Sequence, residues 1–189
     1  MYKIQNGWFE NSKIVTSPNF SQRPEDSAID AIIIHSISMP LGCYEGDDIS
    51  QLFSNQLDWS KDPFYDTIRG LKVSAHFLIR RSGELIQYVD CYSRAWHAGQ
   101  SCLADRTKCN DFSIGIELEG TDESSFETAQ YDTLSEVVQS LLKEFPKITQ
   151  DRIVGHSDIA PGRKTDPGIG FKWNELFSRI DFKQISIEE

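Results

Sequence analysis

Three residues of the chain have side chains that together could bind a metal ion: His35, His156 and Asp166. His35 follows the apolar residues of AIIIHS (31–36), and His156 follows another short apolar run. Asp166 lies in the segment 156–168, whose Pro and Gly residues exclude a helix interior and predict a shaped loop. Two neutral imidazoles and one carboxylate are ligands that zinc accepts, and a catalytic zinc site has three protein ligands with water in the fourth position.

The same three residues also allow an interpretation without a metal. Their separations along the chain match no compact zinc motif. A lone histidine at the end of an apolar strand is more often a core side chain whose ring nitrogens bond to neighbouring polar groups. The residue types therefore make a zinc site one of two interpretations, and the spacing does not choose between them.

Two further charged residues would have a role beside such a centre. Glu117 lies in DFSIGIELEG (111–120), a segment with strict alternation of apolar and other residues. Its neighbours on the same strand face, Ser113 and Gly115, are small and leave room beside a carboxylate. Lys164 precedes the candidate aspartate by two residues and would either point away from it or lean over the same cavity. A solvent-exposed sheet face and a surface lysine are the ordinary alternatives.

The hydrophobic pattern predicts the elements that must position these residues. Strands are predicted over 31–36, 73–80, 84–90, 111–120 and 151–156. Helices are predicted over 47–57, 128–145 and 172–180, and the segment 37–72, which has little pattern, is predicted to form loops around a groove. Strands mixed with helices indicate an α/β fold with a mixed central sheet flanked by helices, and a length of 189 residues indicates one domain over 1–189.

Composition restricts the class of protein further. With 19 basic and 29 acidic side chains the net charge is −10, which disfavours general binding to nucleic acid or anionic membranes. No apolar run is long enough to span a bilayer, and MYKIQNGWFE at the N-terminus has no secretory signal pattern. The four cysteines form no C-x-x-C pair and are predicted to be reduced thiols. We therefore expect a cytoplasmic protein, monomeric by default.

Seven runs, spread through almost the whole chain in family order, resemble the AmpD-type N-acetylmuramoyl-L-alanine amidases. These enzymes belong to the wider family of zinc amidases and peptidoglycan-recognition domains. The runs are SPNFSQRP (17–24), IIIHSIS (32–38), KVSAHFLIRRSGELIQYV (72–89), RAWHAG (94–99), KCNDFSIGIELEGTD (108–122), TAQYDTL (128–134) and GHSDIAPGRKTDPG (155–168). The family fold, a mixed central sheet flanked by helices, agrees with the element pattern.

The resemblance implies a role for each candidate residue. His35, His156 and Asp166 fall on the zinc ligands of the family, Glu117 on the group that activates the attacking water, and Lys164 on the group that steadies the charged intermediate. The implied reaction is hydrolysis of the amide between the lactyl group of a muramic acid and the L-alanine that begins the stem peptide. The implied substrate is a small molecule, an anhydromuropeptide produced by wall turnover and returned to the cytoplasm.

The resemblance also implies six substrate-binding positions, namely Ser36, Lys72, His76, Trp96, His97 and Lys108. Three of them depart from the family pattern. Ser36 stands where this branch often has an asparagine held to touch the sugar, and Lys72 and Lys108 stand where relatives carry arginines held to meet stem-peptide carboxylates. Lysine keeps the charge but loses the two-pronged geometry of arginine. We therefore expect an intact catalytic set with an altered specificity set.

Two other functions stay open at this stage. One is a non-catalytic module that binds muropeptides, against which all five catalytic positions argue. The other is a phage or secreted amidase that acts on intact peptidoglycan, against which the acidic charge and the missing signal pattern argue. The preference for the anhydro sugar over the reducing-end sugar, the peptide length accepted and any role in β-lactamase regulation do not follow from these residues.

Overall fold

The computed structural model describes residues 1–44 and 46–182. Its strands are β1 Ile4–Gln5, β2 Trp8–Phe9, β3 Lys13–Ile14, β4 Phe20–Ser21, β5 Ala31–Ile37, β6 Phe77–Ile79, β7 Leu85–Gln87, β8 Arg94–Ala95, β9 Cys102–Leu103, β10 Arg106–Thr107, β11 Ser113–Glu119 and β12 Ile153–Gly155. Its α-helices are α1 Asp48–Phe53, α2 Pro63–Asp66, α3 Thr128–Glu144, α4 His156–Ile159 and α5 Trp173–Phe177, and short 3-10 helices cover Cys109–Asp111 and Gln150–Arg152.

A six-stranded mixed sheet forms the centre of the fold, in the order β12-β5-β11-β6-β7-β3. The neighbours β12, β5, β11 and β6 run parallel to one another. Strand β7 runs antiparallel to β6 as its hairpin partner, and β3 pairs parallel to β7 at the edge. This single-domain α/β architecture, with helices on the sheet, confirms the predicted fold class.

Helix α3 covers one face of the sheet and buries the larger core. Its start is closed by a capping box between Glu127 and Gln130, and it ends before Pro146, as predicted. Every second residue of the two central strands points toward this helix and is fully buried. The members of the core from these elements are Ile32, Ile34, Ile114, Ile116, Leu118, Leu134, Val138 and Leu141. Because each buried side chain of this size contributes about 1.5–3 kcal/mol, this face anchors the sheet that carries the site.

The opposite face of β11 is buried as well, although the alternating sequence of this strand is also typical of a strand with one solvated face. All seven residues of β11 are buried. The space over Gly115 is filled by the ring of His97: a Cβ built on Gly115 would lie 2.4 Å from the ring carbon Cγ. The room that the small residues leave is therefore occupied by a histidine and does not lie open beside Glu117.

Segment 37–72 packs over this second face. It contains α1 and α2, and α1 is shorter than the helix predicted over 47–57. A buried carboxylate, Asp48, ties the segment together by accepting hydrogen bonds from the Lys61 ammonium at 2.5 Å and the Tyr65 hydroxyl at 2.8 Å. The predicted irregular region is thus an ordered layer over the site.

Several predicted elements are longer than the observed ones. Of the strands predicted over 73–80 and 84–90, only β6 and β7 are regular strand, and toward the start of the first segment the backbone N–H of Ser74 bonds to the carbonyl of Trp96 in a neighbouring loop. The helix predicted over 172–180 extends only over Trp173–Phe177. Among the described residues, no helix combines the length and the apolar character needed to cross a bilayer.

Candidate metal centre and active site

The three candidate ligands meet at one edge of the sheet. His35 lies near the end of β5, and His156 follows the adjacent parallel strand β12, so both side chains leave the same ends of neighbouring strands. The Nδ1 atoms of the two histidines are 2.9 Å apart. The Oδ2 atom of Asp166 lies 3.1 Å from Nδ1 of His35 and 3.0 Å from Nδ1 of His156. The three donor atoms therefore form a nearly equilateral triangle.

The loop after β12 brings Asp166 to this triangle. The loop begins with one helical turn, α4, which the prediction of an entirely irregular 156–168 segment missed because Pro161 lies beyond that turn. The backbone N–H of Ser157 donates to the Asp166 carbonyl at 2.9 Å and closes the loop. Gly168 has a φ of 82° and packs so tightly that a Cβ would lie 2.1 Å from the Cα of Asp122. Only glycine satisfies both conditions, so the turn after the carboxylate is held in place.

The donor set fits a cation such as zinc. Four ligands at about 2.0–2.2 Å in a tetrahedron lie about 3.3–3.6 Å from one another, close to the spacing of these three atoms. The outer nitrogen of His156, Nε2, lies 3.1 Å from the carbonyl oxygen of Ala98. Because a carbonyl only accepts, Nε2 carries the proton and Nδ1 presents a lone pair toward Asp166. A hydrogen bond of this kind on the outer nitrogen is what orients metal-binding histidines.

His35 and Asp166 have the protonation states of metal ligands. The pKa of His35 is lowered to about 4, mainly because the interior disfavours its charged form, and the ring is neutral at pH 7. Burial by itself raises the pKa of Asp166, but its close contacts with the His156 and His35 rings outweigh burial and hold the pKa below its usual range. The site thus presents a neutral His35 imidazole and an ionised Asp166 carboxylate.

Glu117 lies beside His35, because the two residues are Cα partners in the parallel pairing of β11 and β5. Its side chain lines the same cleft and is buried. Burial raises the pKa of Glu117 well above its ordinary value, the charge of Asp166 adds to the rise, and Lys164 opposes it. Within the described residues its Oε2 atom is buried and has no hydrogen-bond partner. A carboxyl group in this setting can accept and return a proton.

Lys164 lines the cleft with Glu117 and Asp166. Its side chain is exposed. Among residues 1–44 and 46–182, its ammonium group has no ion-pair or hydrogen-bond partner. Its positive charge lowers the pKa values of both Glu117 and His35. The twist of the loop therefore brings this lysine over the same cavity as the aspartate, which leaves a cation available to an anion bound there.

The cleft has a volume of about 260 Å³, and its lining includes the ionisable residues of the site. The remaining wall is largely apolar and comes from the layer over the second sheet face. Its apolar side chains are Ile37, Met39, Leu52, Phe53, Phe64, Ile68, Leu71 and Val73. The expectation that 37–72 borders a groove is confirmed. The individual wall residues could not be predicted, because the sequence shows only that they are apolar residues in an irregular stretch.

The structure separates the six predicted substrate-binding residues by location. Ser36 and His97 line the cleft. Lys72 is exposed and lies in sequence between two residues of the apolar wall. Trp96 is half-buried, and its indole N–H lies 3.4 Å from the Ser21 hydroxyl. Lys108 is exposed in a left-handed conformation with a φ of 61° and does not line the cleft.

His76 lies in the core and away from the cleft lining. The backbone N–H of Gly115 donates to its Nδ1 atom at 3.0 Å, so Nε2 carries the proton and bonds to the Ser93 carbonyl at 3.1 Å. The pairing of β11 with β6 begins only at Ile116, so the His76 ring takes the Gly115 N–H, while the Gly115 carbonyl accepts from the His76 backbone N–H at 3.0 Å. The position of His76 supports a role in holding the sheet and does not support the predicted contact with substrate.

The protein thus carries on its mixed α/β sheet a candidate metal-binding triad of two histidines and an aspartate beside a buried glutamate. Comparisons with known proteins identify its family. The model of the N-acetylmuramoyl-L-alanine amidase family matches residues 25–169. The 1,6-anhydro-N-acetylmuramyl-L-alanine amidase AmpD of Enterobacter cloacae is 47% identical over 177 residues, which cover 94% of each chain. The chain therefore belongs to the N-acetylmuramoyl-L-alanine amidase family, and it is a hydrolase of C–N amide bonds.

Solved structures agree with this assignment. A crystal structure of a selenomethionine derivative of AmpD has a TM-score of 0.92 and 43% identity, and the match covers 95% of this chain and 99% of that one. The complex of AmiD from Escherichia coli with anhydro-N-acetylmuramic acid-L-Ala-D-γ-Glu-L-Lys has a TM-score of 0.62 and 28% identity, over 84% of this chain and 60% of that one. The resemblance drawn from the seven sequence runs is confirmed.

Proposed function

We propose that the protein cleaves the amide bond between 1,6-anhydro-N-acetylmuramic acid and L-alanine in muropeptides, as a zinc enzyme of cell-wall recycling, and that residues 1–189 form one amidase domain. The observation that carries the proposal is the convergence of three donor atoms, 2.9 to 3.1 Å apart, beside a buried glutamate whose Oε2 atom has no hydrogen-bond partner among the described residues. The AmpD relative is named for this activity, and the AmiD complex contains a substrate of this class.

His35, His156 and Asp166 would hold the zinc ion through Nδ1, Nδ1 and Oδ2. Zinc supplies Lewis-acid chemistry, because it lowers the pKa of water and polarises a carbonyl group. The outer hydrogen bond of His156 keeps its ring aimed inward, and the closed loop keeps Asp166 in place. These three side chains thus act by fixing the reacting groups at the polar end of the cleft.

Glu117 would act as the general base and then as the general acid. It takes a proton from the attacking water and returns it to the nitrogen of the leaving L-alanine, which would otherwise depart as an unstable anion. The burial that raises its pKa makes the carboxylate a stronger base than an exposed glutamate. The unpartnered Oε2 atom is free to bond to the attacking water.

Lys164 would stabilise the oxyanion that forms when water adds to the amide carbonyl. Lys164 lines the cleft, and its ammonium group has no competing partner in the described part of the chain. A fixed cation that meets charge only as it develops lowers the barrier without tightening substrate binding.

The apolar wall favours the anhydro sugar. The 1,6-anhydro bridge removes two hydroxyl groups relative to the reducing-end sugar, so less polar surface must lose its water in the cleft. Ser36 lies in the cleft lining within 3.5 Å of the Asp122 carboxylate, where the pair can bond to a sugar hydroxyl. Lys72 and Lys108, both exposed, would meet the carboxylates of the stem peptide, and Trp96 would contribute only if the substrate reaches past the cleft.

The protein is proposed to act in the cytoplasm as a monomer. Its four cysteines are unpaired, and two of them, Cys43 and Cys102, are exposed, which fits a reducing compartment. Cell fractionation and sedimentation of the pure protein measure these two properties directly.

The experiment that tests the function measures zinc and cleavage together. Pure protein should contain about one zinc per chain by elemental analysis, lose turnover after chelation and regain it with added zinc. Anhydromuramyl tripeptide and its reducing-end counterpart should be compared side by side, with release of free tripeptide followed by chromatography. Faster cleavage of the anhydro substrate supports the proposal. Equal rates contradict the sugar preference, and binding without cleavage contradicts the proposed catalytic activity.

A further inference from the structure

His97 lies between the candidate zinc ligand His35 and strand β11 of the sheet. Its Nδ1 atom is 3.0 Å from Nε2 of His35, the nitrogen that faces away from the ligand triangle. Its Nε2 atom is 3.3 Å from the hydroxyl of Ser113. The ring rests directly on Gly115, where any larger residue would collide with it. Both nitrogens of this buried ring are therefore engaged within the protein.

The direction of each hydrogen bond in this chain follows from its far end. The Ser113 hydroxyl is 2.6 Å from the carbonyl oxygen of Cys109, and a carbonyl can only accept, so the hydroxyl donates to it. The Ser113 oxygen must then accept from His97, which places the proton of His97 on Nε2 and leaves its Nδ1 without one.

The bare Nδ1 atom of His97 determines the state of the next ring. It must accept a hydrogen bond from the Nε2–H group of His35, so the Nδ1 atom of His35 carries a lone pair toward the ligand triangle. The backbone carbonyl of Cys109 thus sets the tautomer of His35 through two intervening side chains. The carbonyl of Ala98 sets the same tautomer for His156 directly.

We propose that His97, anchored by Ser113, is a positioning residue that holds His35 in the Nε2–H tautomer with its Nδ1 lone pair directed at the metal position. The proposal rests on the proposed function insofar as His35 binds zinc. It replaces the expected substrate contact of His97: the ring lines the cleft, but its two nitrogens are already bonded to protein groups.

The first test measures zinc affinity by competition with a chelator in four variants. His97→Leu removes the acceptor and should weaken zinc binding about 10- to 100-fold. His97→Asn keeps an acceptor oxygen on Cγ, where histidine has Nδ1, and should lose less. Ser113→Ala removes the anchor without touching any ligand and should also weaken binding. Ser135→Ala is the matched control, because Ser135 is a buried serine in α3 whose hydroxyl bonds to the Asp132 carbonyl.

The second test reads the tautomer itself. Nitrogen-15 NMR of zinc-free protein should show His35 as the Nε2–H tautomer in the wild type and as a mixture of tautomers in His97→Leu. An Nδ1–H tautomer in the wild type, or wild-type zinc affinity in folded His97→Leu and Ser113→Ala, would overturn the proposal. If His97→Leu does not fold, the His97→Asn and Ser113→Ala proteins carry both tests.

The two proposals fail in different ways. A wild-type protein that binds no zinc contradicts the proposed function, whatever the variants do. A wild type that binds zinc and cleaves muropeptide, with variants of equal affinity and unchanged tautomer, contradicts only the positioning role of His97.

Discussion

At the scale of single residues, the site combines groups whose environments push them toward different tasks. Glu117 is buried and has a raised pKa, whereas Asp166 lies against two imidazole rings and has a lowered pKa. One carboxylate can therefore exchange a proton while the other stays ionised. Lys164 adds a cation that no described residue neutralises.

Replacing Glu117 with glutamine should remove proton transfer and keep the shape of the site. We expect the turnover of Glu117→Gln to fall about 10²- to 10⁴-fold, with zinc content unchanged, because general acid–base catalysis contributes rates of that order. Steady-state cleavage of anhydromuropeptide and elemental analysis measure the two quantities. Glu136→Gln, a change on the exposed side of α3, is the control; turnover near that of the control would remove Glu117 from the proton-transfer role.

Replacing Lys164 with methionine keeps most of the side-chain volume and removes the charge. Loss of one donor to an oxyanion raises the barrier by about 2.7–4 kcal/mol, so kcat should fall about 10²- to 10³-fold. KM should change little, because the interaction forms only as charge develops. Lys147→Met at an exposed position is the matched control. A change confined to KM would show that Lys164 binds substrate in its ground state instead.

At the scale of elements, the two central strands decide where the chemistry lies. β5 and β11 run parallel and in register, so Glu117 and His35 point to the same face and lie side by side. The buried histidine His97 occupies the next position along that face, above Gly115. The glycine in β11 is therefore a packing requirement of the site and has no special backbone angle.

Adding one methyl group to Gly115 in β11 should displace the His97 ring that packs on it. We expect Gly115→Ala to lower the free energy of unfolding by about 1–3 kcal/mol, because a Cβ there overlaps the ring of His97. In a His97→Ala background the same change should be nearly neutral, since the ring is gone. Urea unfolding of the wild type, both single variants and the double variant measures the coupling; equal effects of Gly115→Ala in both backgrounds would contradict this account.

At the scale of the whole molecule, buried neutral histidines make stability depend on pH. Burial, with a further contribution from the charge of Arg23, lowers the pKa of His76 to about 3 from the ordinary value of 6.5. Between those two values the unfolded chain binds a proton on this residue and the folded chain does not. The folded state is therefore destabilised as the pH falls from 6.5 toward 3.

The contribution of His76 can be isolated by substitution. Between pH 7.5 and pH 5 the wild type should lose about 2 kcal/mol of its unfolding free energy through this residue, from 1.5 pH units at 1.36 kcal/mol each. His76→Asn keeps an acceptor for the Gly115 N–H and should lose that much less over the same range. Urea unfolding at the two pH values measures the difference. Equal losses in the two proteins would show that folding does not lower the pKa of His76.

Much of the architecture could be predicted from periodicity. The helix over 128–145 and the strand over 31–36 are found within one residue of their predicted ends, because their apolar patterns are long or continuous. The flanks of 73–80 and 84–90 could not be predicted, since segments that are remote in sequence take part of the hydrogen bonds there. His76 and Gly115 form one such remote contact, across 39 positions of the chain.

The sequence by itself determined the family, the fold class and the residue types of the site. These depend on local composition and on short runs of residues that can be recognised in the sequence. Only the tertiary structure decided that His35, His156 and Asp166 converge, since 131 positions separate the first from the last. It also decided that His97 bonds to His35 and that His76 serves the core. The direction of a hydrogen bond depends on which atoms are in contact. Parallel strand pairing determines these contacts, because it places distant segments side by side.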